Sequence, residues 1–174
     1  MKTTICFSCT ARVPDIKGPT HPYILSLSGC WKLYGEILAK DYLAEYFDPL
    51  IHRIVVDSYA VTHPGDENNR KAVRSVNIHL ISLYYIFEKG FKDKILRDII
   101  KRAAENKEID KHYHWITPPS FKETLNVTDV LKANNPSEHK KLVQDWGSSV
   151  WKKWKTDHIH TIEYVAGLVE EVIK

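Results

Sequence analysis

The chain has 174 residues, 43% of them hydrophobic and 27% charged, which is the make-up of one domain with one sizeable core. Only 7 Gly and 8 Pro are present and no segment repeats, which excludes low-complexity and solenoid architectures. With 25 Lys+Arg against 22 Asp+Glu, the net charge of +3 is too small to mark a nucleic-acid or membrane-surface binder.

The opening MKTTICFSC has no apolar signal core, and the apolar runs fall short of the roughly 20 residues that cross a bilayer, so a cytoplasmic protein with no membrane partner is expected. Three cysteines, an odd number, then favour metal ligands or free thiols over a disulfide framework.

In chain order, residues 1–30 hold Pro14, Gly18, Pro19, Pro22 and Gly29, too many breakers for a helix, and predict an irregular lobe with at most a short strand around Thr3 to Phe7. From Cys30 the pattern turns helical, with Trp31, Tyr34, Ile37 and Leu38 at three- and four-residue spacing and Tyr42, Tyr46 and Phe47 at its end. Asp48-Pro49 predicts the start of a second helix, running to about Thr62 before His63-Pro64-Gly65 stops it. Asp66 can cap a long third helix, about Glu67 to Lys89, and Gly90 ends it. A fourth helix is predicted over Lys92 to Glu105, a loop over Asn106 to Asn126, and a short helix over Thr128 to Ala133. Pro136-Ser137 then opens a helix to about Ile173, with a bend at Gly147. The fold class is mainly α: a single domain over 1–174, comprising a lobe at 1–30 and a five- or six-helix bundle at 31–174.

Cys6 and Cys9 form a C-x-x-C knuckle, followed by His21 and Cys30, with two, eleven and eight residues between successive ligands. Tetrahedral sulfur and nitrogen sets of this kind suit Zn2+, and closed four-ligand sites are usually structural. The segment between the ligands is also the part of the chain that cannot form a helix or a core, so metal binding can supply its folding free energy. The alternatives are free thiols with His21 in a loop, or a redox pair, although the latter sits in a βαβ context that a Pro-rich loop after Cys9 does not provide.

His52, Asp57, His63, His79 and His158 are set among apolar neighbours. Asp57 lies within Ile54 to Val61, so it should be buried and paired. His79 falls on the inner stripe of the third helix, three positions after Val76, and His158 follows Trp154 by four. His52 and His63 are about 16 Å apart along a continuous helix and cannot share a metal. Asp57 and His79 with either His52 or His158 therefore make a candidate second metal or acid/base site, in which Asp57 and His79 are the catalytic candidates and His52, His79 and His158 the candidate ligands; the alternative is a hydrogen-bond network that fixes helix register. Trp146, Trp151 and Trp154 alternate with Lys152, Lys153 and Lys155, a combination that can stack bases, but the helical spacing points to core tryptophans with solvated lysines. No Gly-rich phosphate loop, Gly-x-Ser-x-Gly elbow or His-Glu-x-x-His pair is present.

Cys6-x-x-Cys9, Gly18-Pro19-Thr20-His21-x-Tyr23, Gly29-Cys30-Trp31-x-x-Tyr34, His52-x-x-x-Val56-Asp57-x-Tyr59, His63-Pro64-Gly65, Val76-x-x-His79-Leu80 and Trp151-x-x-Trp154 together resemble an uncharacterised bacterial domain-of-unknown-function family, from Cys6 to about His158. The resemblance implies no activity. The sequence therefore supports a zinc-binding helical protein with two readings: a metal-dependent hydrolase-like enzyme using the interior His/Asp cluster, or a non-catalytic zinc-stabilised binding or regulatory module.

Overall fold

The computed structural model describes residues 2–171. Strands β1 (Thr3–Ile5) and β2 (Arg12–Pro14) pair antiparallel, with Thr4 opposite Val13. The helices are α1 (Ser28–Asp41), α2 (Pro49–Thr62), α3 (Arg70–Phe87), α4 (Asp93–Glu105), the single turns α5 (Lys107–Asp110) and α6 (Val127–Val130), and the long α7 (Pro136–Glu171). The protein is thus mainly helical with an N-terminal appendage, and among the described residues no helix is long and apolar enough to cross a membrane.

Start and stop signals explain most boundaries. Asp48 accepts from the backbone N–H groups of Leu50 and Ile51 and Pro49 occupies the first turn, so α2 begins as predicted. Helix α3 starts later than Glu67, because Asn69 is its cap. Asp66 instead accepts from the Asn68 N–H in a turn of its own. Helix α1 stops at Asp41, short of the aromatic run, and Tyr42 to Phe47 make turns that lead into the α2 cap. Within the expected loop, Asn106 caps the extra turn α5. The predicted end of the last helix near Ile173 lies outside the described residues.

Helices α2, α3 and α7 enclose the core. Ile54, Tyr59, Leu80, Leu83, Trp146 and Trp154 are among its fully buried side chains. Trp151 is buried as well and its indole N–H donates to Glu88 at 2.7 Å, while Lys152 faces solvent. Helix α7 runs unbroken through Gly147, so the glycine has another role than a bend. A Cβ there would lie 2.4 Å from Ile54 Cγ2 and 3.0 Å from Phe87 Cζ, so it lets α7 approach α2 and the end of α3.

The lobe packs on the helical body against the start of α1, where a Cβ on Gly29 would clash with the Pro14 carbonyl, and at the end of α2. The Leu25 N–H donates to the His63 carbonyl at 3.1 Å, Ile24 bridges Pro64, and a Cβ on Gly65 would lie 2.4 Å from the Tyr23 oxygen. The His63-Pro64-Gly65 turn that ends α2 is therefore also the dock for residues 23–25.

Two glycine substitutions separate intrinsic helix preference from packing. In α1, Gly35 has open space around it, so Gly35→Ala should gain up to about 1 kcal/mol of helix propensity. In α7, Gly147→Ala should lose stability despite that gain, because overpacking costs about 1–3 kcal/mol. Denaturant melts of both variants check the opposite signs.

Candidate metal centre and histidine–aspartate pairs

The β1–β2 hairpin is closed by the Cys6 N–H donating to the Ala11 carbonyl at 2.8 Å and the Thr10 N–H donating to the Cys6 carbonyl at 2.9 Å. This knuckle turns Cys6 and Cys9 toward the same point, with Thr10 in the left-handed region at φ 61°. Cys30 arrives from the first turn of α1, where it is wholly buried. The fourth side chain is His63, at the C-cap of α2. Its Nε2 lies 3.3 Å from Cys30 Sγ and 3.7 Å from Cys6 Sγ, and Cys9 Sγ lies 3.7 Å from Cys30 Sγ. One ligand atom from each of Cys6, Cys9, Cys30 and His63 falls within 4.8 Å of the others, so the group can hold a metal ion.

The imidazole is held for that task. His63 Nδ1 faces the Tyr59 carbonyl at 2.9 Å and Thr62 Oγ1 at 3.1 Å. A carbonyl only accepts, so Nδ1 carries the proton and the Nε2 lone pair faces the sulfurs. The ring also stacks on Tyr59, at 4.0 Å between centroids. The thiols respond to their crowding. Cys6 is drawn well below the usual thiol range, because Cys30 and then Cys9 donate to it, an effect that outweighs its burial. Cys30 is driven far above that range by donating to Cys6 and Cys9 and by burial. Cys9, although Cys30 donates to it, is pushed up to about 12 by its bond to Cys6, by burial and by the Cys6 charge. Three buried sulfurs this close cannot all ionise without a cation among them.

His21, the expected fourth ligand, lies apart from this group. Its ring packs edge-on against Tyr23 at 4.2 Å and lies 5.6 Å from Trp31, and its Nδ1 has no hydrogen-bond partner. It is a neighbour of the lobe's aromatic residues and His63 takes the position by the cysteines.

The interior candidates separate into three places. Asp57 is fully buried on α2 and its Oδ1 accepts from His79 Nδ1 of α3 at 2.7 Å, while Oδ2 has no partner. The His79 side chain is 19% exposed and lines an open cleft of about 430 Å³ with Tyr23, Lys71, Arg74 and Ser75. His52 Nδ1 meets Asp41 Oδ2 at 3.2 Å, and the buried His139 of α7 meets Asp41 Oδ1 through Nε2 at 2.7 Å. His158 donates from Nε2 to the Thr117 carbonyl at 2.8 Å. His52, His79 and His158 therefore serve three different partners, and no second group of metal-ligating atoms occurs among the described residues.

A sequence profile describing a family of unknown function, DUF5946, matches residues 4–155. The chain belongs to DUF5946. The match spans all four side chains of the metal group, both carboxylates of the histidine–aspartate pairs, and His79 and His139. Comparison of this DUF5946 chain with curated proteins and with solved structures finds no match.

Two outcomes follow from this geometry. Purified protein should carry about one metal ion per chain; Cys30→Ser and His63→Gln should lose it together with stability, whereas His21→Ala should retain it, as metal analysis and thermal melts will report. Burial raises the Asp41 carboxyl, but the hydrogen bonds from His139 and His52 outweigh it and leave the group below the usual carboxylate range. A lowered folded-state value means that Asp41 contributes stability above the unfolded value of about 3.9 and loses it as pH falls through the folded value. Wild type should thus lose stability relative to Asp41→Asn below about pH 4, read as a narrowing gap between their melts.

Proposed function

We propose that this chain is a hydrolytic enzyme in which a structural zinc organises the fold and His79, oriented by Asp57, is the general base. The observation that carries the catalytic part is the 2.7 Å bond from an exposed-edge histidine to a wholly buried carboxylate at the wall of an open cleft. An ionised carboxylate only accepts, so Nδ1–H is held toward Asp57 and the basic Nε2 is left for a water or hydroxyl. Lys71 and Arg74 on the same cleft can stabilise negative charge that develops when such a nucleophile attacks an ester or phosphoester.

Zinc is favoured by the donor set and the spacing. Tetrahedral Zn–S bonds of about 2.3 Å place sulfurs about 3.8 Å apart, and the Cys9 to Cys30 separation of 3.7 Å matches it. Four protein ligands leave no open position, so the metal stays outside the reaction. It acts at a distance, because the lobe it secures carries Tyr23 into the cleft wall.

A non-catalytic zinc-stabilised module is the second reading, and it is favoured by the sealing of the metal group, whose cysteines and histidine are at most 2% exposed. The two readings part on His79. Turnover of p-nitrophenyl acetate or p-nitrophenyl phosphate should fall at least about a hundredfold in His79→Gln, measured on folded protein with zinc content kept, even though losing the donor to Asp57 costs about 1–3 kcal/mol of stability. Equal turnover in wild type and His79→Gln, or none in either, would favour the module. In the same series Asp57→Asn should cost about 1–3 kcal/mol, since it leaves buried groups with unmet hydrogen bonds.

A further inference from the structure

Another cleft lies between the start of α2 and α4. It has a volume of about 300 Å³, and its apolar walls come from Phe47 before α2, Leu50 in its first turn and Leu96 of α4. Its polar residues all carry or can carry positive charge: His52, Arg53 and Arg97. Arg97 is exposed and has no ion-pair partner among the described residues. Arg53 has only a long approach to Asp57 Oδ1, 3.9 Å away. His52 is fixed from behind, because its Nδ1 meets Asp41 and Asp41 is itself held by the buried His139. With Nδ1 engaged, Nε2 is the free nitrogen of a ring that lines the cleft.

Two guanidinium groups and an oriented imidazole above leucine and phenylalanine side chains call for an anionic head on an apolar body. Guanidinium groups pair with planar carboxylates in a two-pronged geometry, and the apolar walls reward a hydrocarbon rather than a hydrated ion. We infer that this cleft binds an amphipathic carboxylate, its head between Arg53 and Arg97 and its apolar body against Phe47, Leu50 and Leu96.

Binding there reaches the Asp57–His79 pair through one side chain. Asp57 Oδ1 is the oxygen that accepts from His79, and it is also the oxygen nearest Arg53. A carboxylate in the cleft competes for that guanidinium, so the positive charge beside Asp57 weakens and the field on His79 changes. The ligand site stands whether or not His79 is catalytic, and the coupling is read on the imidazole and not on turnover.

The test uses octanoate as probe, with 1-octanol as the uncharged control and inorganic phosphate as the anion without an apolar body. Calorimetry on the metal-loaded full chain should find octanoate binding at least about tenfold tighter than either control. Arg97→Gln should weaken octanoate about tenfold with an unchanged melting curve, since the side chain is exposed. Octanoate should also shift the His79 ring resonances in wild type and leave them in place in Arg53→Gln. Equal affinity for 1-octanol or for phosphate, no measurable octanoate binding, or affinity unaltered in Arg97→Gln would overturn the site. Octanoate binding with unmoved His79 resonances would overturn the coupling.

Discussion

The imidazole of His63 joins the part of the chain that has no core of its own to the part that has one. Two three-residue strands cannot stand alone in water, and the lobe's remaining backbone is irregular. Its position depends on three sulfurs meeting one nitrogen at the end of α2. That nitrogen is placed by an aromatic stack: His63 lies on Tyr59, and Tyr59 lies 3.9 Å from Tyr34 of α1. The stack and the Tyr59 carbonyl together hold the ring in its orientation, so the helical body presents a fixed nitrogen and Cys30 of α1 to the two cysteines of the lobe.

The helical scaffold was legible because its signals are local. Asp48-Pro49, Gly90 and the three- and four-residue spacing of apolar side chains act within a few turns, and the structure follows them closely. The metal group was legible only in its cysteines. Nearness in sequence favours His21, which lies between Cys9 and Cys30, whereas the nitrogen beside the sulfurs comes from a residue 33 positions beyond Cys30. His63 reads as a stop signal in His-Pro-Gly, and the only hint of more is that the stop follows an unusually apolar helix. Asp57 and His79 could be grouped, since apolar neighbours imply burial and burial implies a partner. Asp41 and His139 could not. Lys40-Asp41-Tyr42 and Glu138-His139-Lys140 read as solvated segments, and only tertiary packing buries Asp41 and His139 against each other.

Each histidine–aspartate contact ties different helices, and their degree of satisfaction differs. Both oxygens of Asp41 accept, from α2 and from α7, so this carboxylate is spent on holding three elements in register. Asp57 has one oxygen committed to His79 and one unmet in the interior, which is an expensive arrangement for a purely structural group. The fold thus carries one carboxylate on α1 with both oxygens paired and one on α2 with a single oxygen paired, and the latter supports the histidine that reaches an open cleft.

The separation along the chain of the four side chains that could hold a metal ion has a consequence for biosynthesis. A ribosome releases Cys6, Cys9 and Cys30 well before His63, and for that interval the nascent polypeptide carries three thiols without the imidazole that completes their set. Once His63 has emerged, the lobe, α1 and α2 hold every ligand, while α7, which covers α2 and α3, is still to be made. The four side chains can therefore meet before the apolar core closes. Until the four side chains meet, the cysteines stay open to oxidation at a stage when the core is also uncovered.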